Sequence, residues 1–144
     1  MGVRIVIFIL AIFFSFSALA CSCVAPNMEQ GTKAYNQSDV VLKGTITNKS
    51  DGWEGLRPLI TVNVIDVIKG YDIPENLTAD YNKNTAACGN NFNVGDDYII
   101  AMFDTRSLIL TDENIRGYGF RAMPSCHQYQ VRDYIKNKQK KETE

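Results

Sequence analysis

Residues 59–68 read Leu-Ile-Thr-Val-Asn-Val-Ile-Asp-Val-Ile, a run rich in β-branched residues with Ile60, Val62 and Val64 set between Thr61 and Asn63. Successive side chains of a strand point to opposite faces, so this stretch predicts a long strand with one buried side. Lys69-Gly70 ends it, and Ile73-Pro74-Glu75-Asn76 turns the chain. Upstream, Asp39–Asn48 (DVVLKGTITN) alternates Val40, Leu42, Gly44 and Ile46 with Val41, Lys43, Thr45 and Thr47, a second half-buried strand. Ser50-Asp51-Gly52 supplies the turn after it. Downstream, Leu77–Tyr81 is a shorter strand and Asn90–Asp96 is rich in turn residues. Tyr98–Phe103 (YIIAMF) reads as a central strand buried on both faces, followed by Ser107–Thr111 and a sixth segment at Tyr118–Met123.

Helices flank these strands. Asn27 with Gln30 three residues on suits an N-cap and its reciprocal partner, and Met28, Thr32 and Tyr35 share one side of the short helix that follows. Gly31 weakens that helix. At the other end, Ser125 and Gln128 form the same kind of capping pair after Pro124. Val131, Tyr134 and Ile135 then share a face with His127, and Lys136, Lys138, Lys140 and Lys141 suit the negative end of the helix dipole. There is no internal repeat. The fold expected is mainly β with flanking helices, a five- to six-stranded Greek-key barrel of the OB type.

The N-terminus carries the chemistry. After Arg4, residues up to Ser17 are almost unbroken hydrocarbon, and Ala18-Leu19-Ala20 is the small-x-small pattern of a signal-peptidase site. Residues 1–20 are therefore read as a cleaved signal peptide, and residues 21–144 as one domain ending in a helix and a Lys-rich tail. The hydrocarbon run is short for a membrane span. Lipidation of Cys21 is the rival reading, although Ala18 stands where a lipoprotein signal prefers Leu. Location follows: secreted, or periplasmic in a bacterium.

All four cysteines, Cys21, Cys23, Cys88 and Cys126, fall in the exported part, where an even count reads as two disulfides. A Cys21–Cys23 bond would close a strained three-residue ring, so each must reach a distant partner. Either remaining pattern closes loops of about 65–105 residues, worth about 4 kcal/mol each in the chain-entropy model. A mature chain beginning at Cys21 offers its α-nitrogen and its own carbonyl oxygen two carbons apart, a five-membered chelate for one metal ion. Catalytic zinc in a protease keeps a position open for water, and such a chelate would displace that nucleophile. The amine must be neutral to ligate, and with a reference pKa of about 7.7–8.0 it releases a proton on binding near neutral pH.

Cys21-Ser22-Cys23-Val24 with Pro26 close behind, Asn36-Gln37-Ser38-Asp39-Val40-Val41, Ala86-Ala87-Cys88-Gly89, and Val94-Gly95 before the YIIA strand occur in order over about residues 21–105. In that combination the chain resembles the N-terminal, netrin-like domain of the tissue inhibitors of metalloproteinases, and more loosely so through Cys126. The resemblance implies the pairings Cys21–Cys88 and Cys23–Cys126. It also implies a protease-binding ridge: Cys21 on the target's zinc, Ser22 in the pocket beside it, and Cys23, Val24, Ala25 and Pro26 along the substrate cleft. Ala86, Ala87, Cys88 and Gly89 would occupy the other side. The partner implied is a metzincin-like zinc metalloprotease and the inhibitor a monomer; the only metal is the target's zinc, with no cofactor of the chain's own. Three features depart from the family: its third disulfide is missing, with Tyr35 near one lost cysteine; Pro26 comes one residue late; and its second, cysteine-rich domain is absent.

Other residues point elsewhere or nowhere. A net charge of −1 advertises no nucleic-acid partner. His127, the only histidine, makes neither a triad nor a metal cage, and Asp96-Asp97 and Asp112-Glu113 read as solvated turn charge, so no catalytic set emerges. Trp53 is either an aromatic anchor for a partner or a cap on the barrel's end. Asn36, Asn48 and Asn76 stand in glycosylation sequons. The alternatives to an inhibitor are a netrin-like module binding a protein or matrix component, a lipid-anchored envelope domain, which requires Cys21 to be acylated, and a redox Cys-x-Cys pair; unless Cys21 is acylated no membrane partner is expected.

Overall fold

The computed structural model of the chain describes residues 23, 25–51, 57–85, 88–106 and 119–143. In chain order they form α1 (Met28–Gln37), β1 (Val40–Ser50), β2 (Leu59–Lys69), β3 (Asn76–Asp80), β4 (Asp97–Asp104), β5 (Phe120–Ala122) and α2 (Ser125–Glu142). The strands close into a barrel in the order β1-β2-β3-β5-β4, with β4 returning to β1. Every pairing is antiparallel except that of β3 with β5, where Ala79 faces Phe120 and Asp80 faces Arg121. The expected strand at 107–111 lies outside the described residues, and five strands suffice for closure.

The alternation in β1 and β2 does what their patterns predict. Leu42, Ile46, Ile60 and Val62 point into the barrel with Leu77, Ile100, Met102 and Phe120, all nearly or fully buried. The register between β1 and β2 slips at Val41/Leu42, Lys43/Gly44 and Ile46/Asn48. Such bulges sharpen local twist and bend, which a small barrel needs. β4 is buried on both faces at Ile100–Met102, as the YIIAMF run implies, while Phe103 is exposed.

A second, smaller core lies outside the barrel wall. Val41 and Ala101 point away from the interior, yet both are fully buried, because Ala34 of α1 and Val131 and Ile135 of α2 cover them with Met123. Val41 is thus not on a wet face, as a simple half-buried reading of β1 would place it. The interior-facing neighbours Val40, Leu42, Ile100 and Met102 belong to the other cluster. Two adjacent strand residues can both be buried only when the sheet is covered on both sides.

The helices correct the sequence reading in three places. Met28 and Thr32 are exposed; the face of α1 that packs is Gly31 and Ala34, with Tyr35 leaning on the Tyr134 ring at 5.2 Å. Gly31 is the contact point itself, since a Cβ there would sit 2.8 Å from the Tyr134 Cβ and 3.2 Å from the Gln130 carbonyl oxygen. Asn27 does cap α1, its Oδ1 accepting from Gln30 N–H at 2.8 Å, but Gln30 does not reciprocate: its Oε1 is buried without a partner. In α2 the capping position falls on Pro124, and no side chain caps the helix. Ser125 N–H donates instead to the Cys88 carbonyl at 3.0 Å.

Candidate functional site: the cysteine platform

The Cys23–Cys126 disulfide is present, with 5.2 Å between the Cα atoms, and none of the described cysteines is a free thiol. It ties the segment nearest the chain's start to the first turn of α2 across a separation of 103 residues. Cys23 and Ala25 are exposed and Pro26 is half-buried, so this arm lies along the surface rather than in the core.

The Cys88 segment reaches the same first turn of α2 by a different route. Cys88 has φ +58°, a left-handed conformation uncommon for a residue with a side chain. Its carbonyl accepts from Ser125 N–H, the residue before Cys126. Gly89 N–H donates to Asn84 O at 2.7 Å and Asn90 N–H to Asn82 O at 2.6 Å, closing the loop on itself. Asn90 is buried, and its Nδ2 donates to the Met123 carbonyl at 2.8 Å. Gly89 is required by space: a Cβ would lie 2.5–2.6 Å from the backbone N, C and O of Asn84. The chain therefore holds the Cys23 arm and the Cys88 loop on one platform, the start of α2.

Gln128 anchors that platform to the barrel. Its amide bonds both polar atoms of Ala101, accepting from N–H and donating to C=O at 2.7 Å each, and Nε2 also donates to Met123 O at 3.1 Å. The pairing matches a second strand edge, and it uses the residue that sequence spacing assigns to a helix cap. No local signal distinguishes the two roles; only the approach of α2 to β4 does.

Of the residues proposed for the ridge, Cys23 and Cys88 are each tied to the start of α2, Ala25, Pro26 and Gly89 are their near neighbours in sequence, and Cys21, Ser22, Val24, Ala86 and Ala87 lie outside the described residues. Trp53, Asp112 and Glu113 do too. His127 sits on α2 beside a cavity of about 280 Å³ against α1, its Nδ1 buried without a partner. Asp96 and Asp97 are exposed; Asp97 accepts from the Thr45 hydroxyl at 2.6 Å, and Asp96 from Asn93 Nδ2 at 3.2 Å. Asn36, Asn48 and Asn76 are exposed. Among the described residues no three His, Cys, Asp or Glu side chains are grouped to hold a metal ion.

A larger cavity, about 590 Å³, lies between the start of β1 and the ends of β2 and β4, and no described ridge residue lines it. Its cations are already occupied. Lys69 Nζ donates to the carbonyls of Tyr35, Asn36 and Ser38 at the C-terminus of α1. Arg106 grips the Asp104 carboxylate, with Nη2 at 2.6 Å and Nε at 3.0 Å, and also bonds Asp72 O. That grip holds the Asp104 carboxyl below the ordinary carboxylate range despite partial burial. These bonds knot loop ends together and leave little donor capacity for a ligand.

No model of a known protein family matches the chain, and no curated protein matches its sequence.

Proposed function

We propose that this protein is a secreted, non-enzymatic inhibitor of zinc metalloproteases, acting through Cys21 once residues 1–20 are removed. The observation that carries the reading is the common anchor of the Cys23 arm and the Cys88 loop on the first turn of α2. A terminus that chelates another protein's metal must be stiff, because ordering a free arm on binding would consume the affinity gained. A disulfide two residues from the mature end supplies that stiffness.

The barrel belongs, in this reading, to the OB type with netrin-like additions; five strands closed with a β3–β5 crossover suit a Greek-key barrel. With Cys23 joined to Cys126 and Cys88 not a free thiol, the second disulfide proposed is Cys21–Cys88. The neutral α-amine and carbonyl oxygen of Cys21 take two positions on the target's zinc and displace its water. Ser22 enters the pocket beside the metal; Cys23, Val24, Ala25 and Pro26 follow the substrate cleft; Ala86, Ala87, Cys88 and Gly89 lie on the far side. The zinc is the target's, the partner is metzincin-like, and the inhibitor acts as a monomer outside the cytoplasm.

The test compares the chain beginning at Cys21 with one carrying a single extra Ala before it, across a panel of zinc metalloproteases. The mature chain is expected to inhibit, and the extended one to lose about 100-fold or more in affinity, roughly 2.7 kcal/mol. Equal potency of the two refutes the chelate. Failure of the mature chain to inhibit any member refutes the inhibitor reading.

A further inference from the structure

We infer that a carboxylate-binding subsite flanks the Cys88 loop: a cavity of about 400 Å³ in which the Tyr81 hydroxyl, Lys83 and Arg57 receive an acidic side chain of the bound protein. The identity of that protein as a protease rests on the function proposed above; the site itself does not.

Tyr81 is 1% exposed, and its ring meets Phe92 edge-on at 5.5 Å in the barrel core. Its hydroxyl is buried without a hydrogen-bond partner, and Tyr81 is one of the residues that line the cavity. A buried donor with no acceptor destabilises the free protein, and natural folds leave few of them. Burial first, and the charge of Asp51 second, raise the phenol's pKa, so at neutral pH the group is a donor and wants an acceptor.

Two cations line the same cavity with weak holds. Lys83 Nζ is 3.6 Å from the Asp51 carboxylate and 3.4 Å from its carbonyl oxygen. Arg57 Nε is 3.5 Å from Asp80, whose closer partner is Arg121 at 3.0 Å. The Lys83 and Arg57 side chains are 55% and 58% exposed, so either turns toward a ligand without breaking a short bond. One fixed neutral donor and two mobile cations, against one exposed carboxylate at Asp51, fit a planar anion with two oxygens to place.

The position is as telling as the chemistry. Tyr81 N–H donates to Pro58 O at 3.0 Å, while Asn82 O and Asn84 O accept from Asn90 and Gly89. The segment after β3 that lines the cavity is therefore the one on which the Cys88 loop closes. A protein seated on that loop lies next to the cavity, and an acidic side chain there completes the phenol's hydrogen bond.

The experiment uses the mature chain, Tyr81→Phe and Lys83→Gln. Tyr81→Phe keeps the ring contact with Phe92, and its urea midpoint is expected to equal or exceed that of the wild type. Inhibition of a protease that the wild type blocks should weaken about tenfold in Tyr81→Phe and about threefold in Lys83→Gln, while the effect of the N-terminal extension persists. Unchanged inhibition constants in both variants overturn the subsite and leave the chelate standing. A second arm needs no protease: N-acetylglutamate α-amide and its glutamine counterpart are titrated against the chain, with the amide resonances of Asn82, Lys83 and Asn84 followed by NMR. Saturable shifts with the carboxylate alone, lost in Tyr81→Phe, are expected, with a midpoint on the order of 10 mM. No saturation, or equal shifts with the glutamine compound, overturns the site. Saturation in a chain that inhibits no protease supports the site and overturns the protease as its partner.

Discussion

Gly89→Ala tests whether the Cys88 loop is built as described. The added Cβ would lie 2.5 Å from Asn84 N and 2.6 Å from its C and O, and all three are backbone atoms that no rotamer change can move. Restoring van der Waals separation requires the two segments to part by about 1 Å. The Gly89 N–H to Asn84 O bond, 2.7 Å in the native loop, does not survive that displacement. Overpacking costs about 1–3 kcal/mol and the lost bond about 1 kcal/mol. Removing glycine's extra freedom from the unfolded chain returns about 0.4–1 kcal/mol. The balance is about 2 kcal/mol of destabilisation, with the Cys88 carbonyl drawn away from Ser125. Urea unfolding of the oxidised mature chain, followed by far-ultraviolet circular dichroism, reads it as a lower midpoint at an unchanged slope. A stability within about 0.5 kcal/mol of the wild type would refute the close approach and with it the platform.

Gln128→Leu should cost about 2–4 kcal/mol in the same assay, since it removes three hydrogen bonds and strips Ala101 N–H of the Gln128 acceptor; a neutral result contradicts the clamp. Gly31→Leu should lose about 2 kcal/mol, overpacking against Tyr134 outweighing roughly 1 kcal/mol of helix propensity, and a stabilised variant would show that α1 and α2 are not in contact. Asp104 has a folded-state pKa depressed by Arg106, so its contribution is complete above the ordinary carboxylate value of 3.8 and lost as pH falls through the lower folded value. Asp104→Asn should therefore flatten the acid limb of the stability–pH curve, and an unaltered limb would count against the pairing. Inhibition through a neutral α-amine should weaken by about tenfold per pH unit below the amine's pKa, measured with a target whose own activity is level over that range; pH-independent potency would contradict zinc ligation by nitrogen.

Much of the barrel is legible in the chain itself, because period-two alternation records burial directly. Ile60 and Val62, or Leu42 and Ile46, cannot be shifted by one position without turning these side chains out of the barrel. The even count of cysteines announces staples, and Cys23–Cys126 is one. Their partners are a different matter: spacing left two patterns open, and the Cys23–Cys126 bond agrees with the one that the family resemblance implied. Gly31 reads locally as a flaw in a helix and proves to be the point where two helices touch. Gln128 reads as a cap and serves as a strand edge. In each case the side chain's local chemistry permits several partners, and the choice among them is made by segments far away in sequence.

Patterning alone therefore determined the type of element and the inward face of each long strand. Tertiary structure decided the strand order, the second core that buries Val41 and Ala101, and the meeting of Cys23 with the Cys88 loop at the start of α2. The division has a physical cause: alternation and capping are properties of neighbouring residues, whereas closure of the barrel and the seat of α2 depend on contacts whose free energy appears only when distant segments pack together.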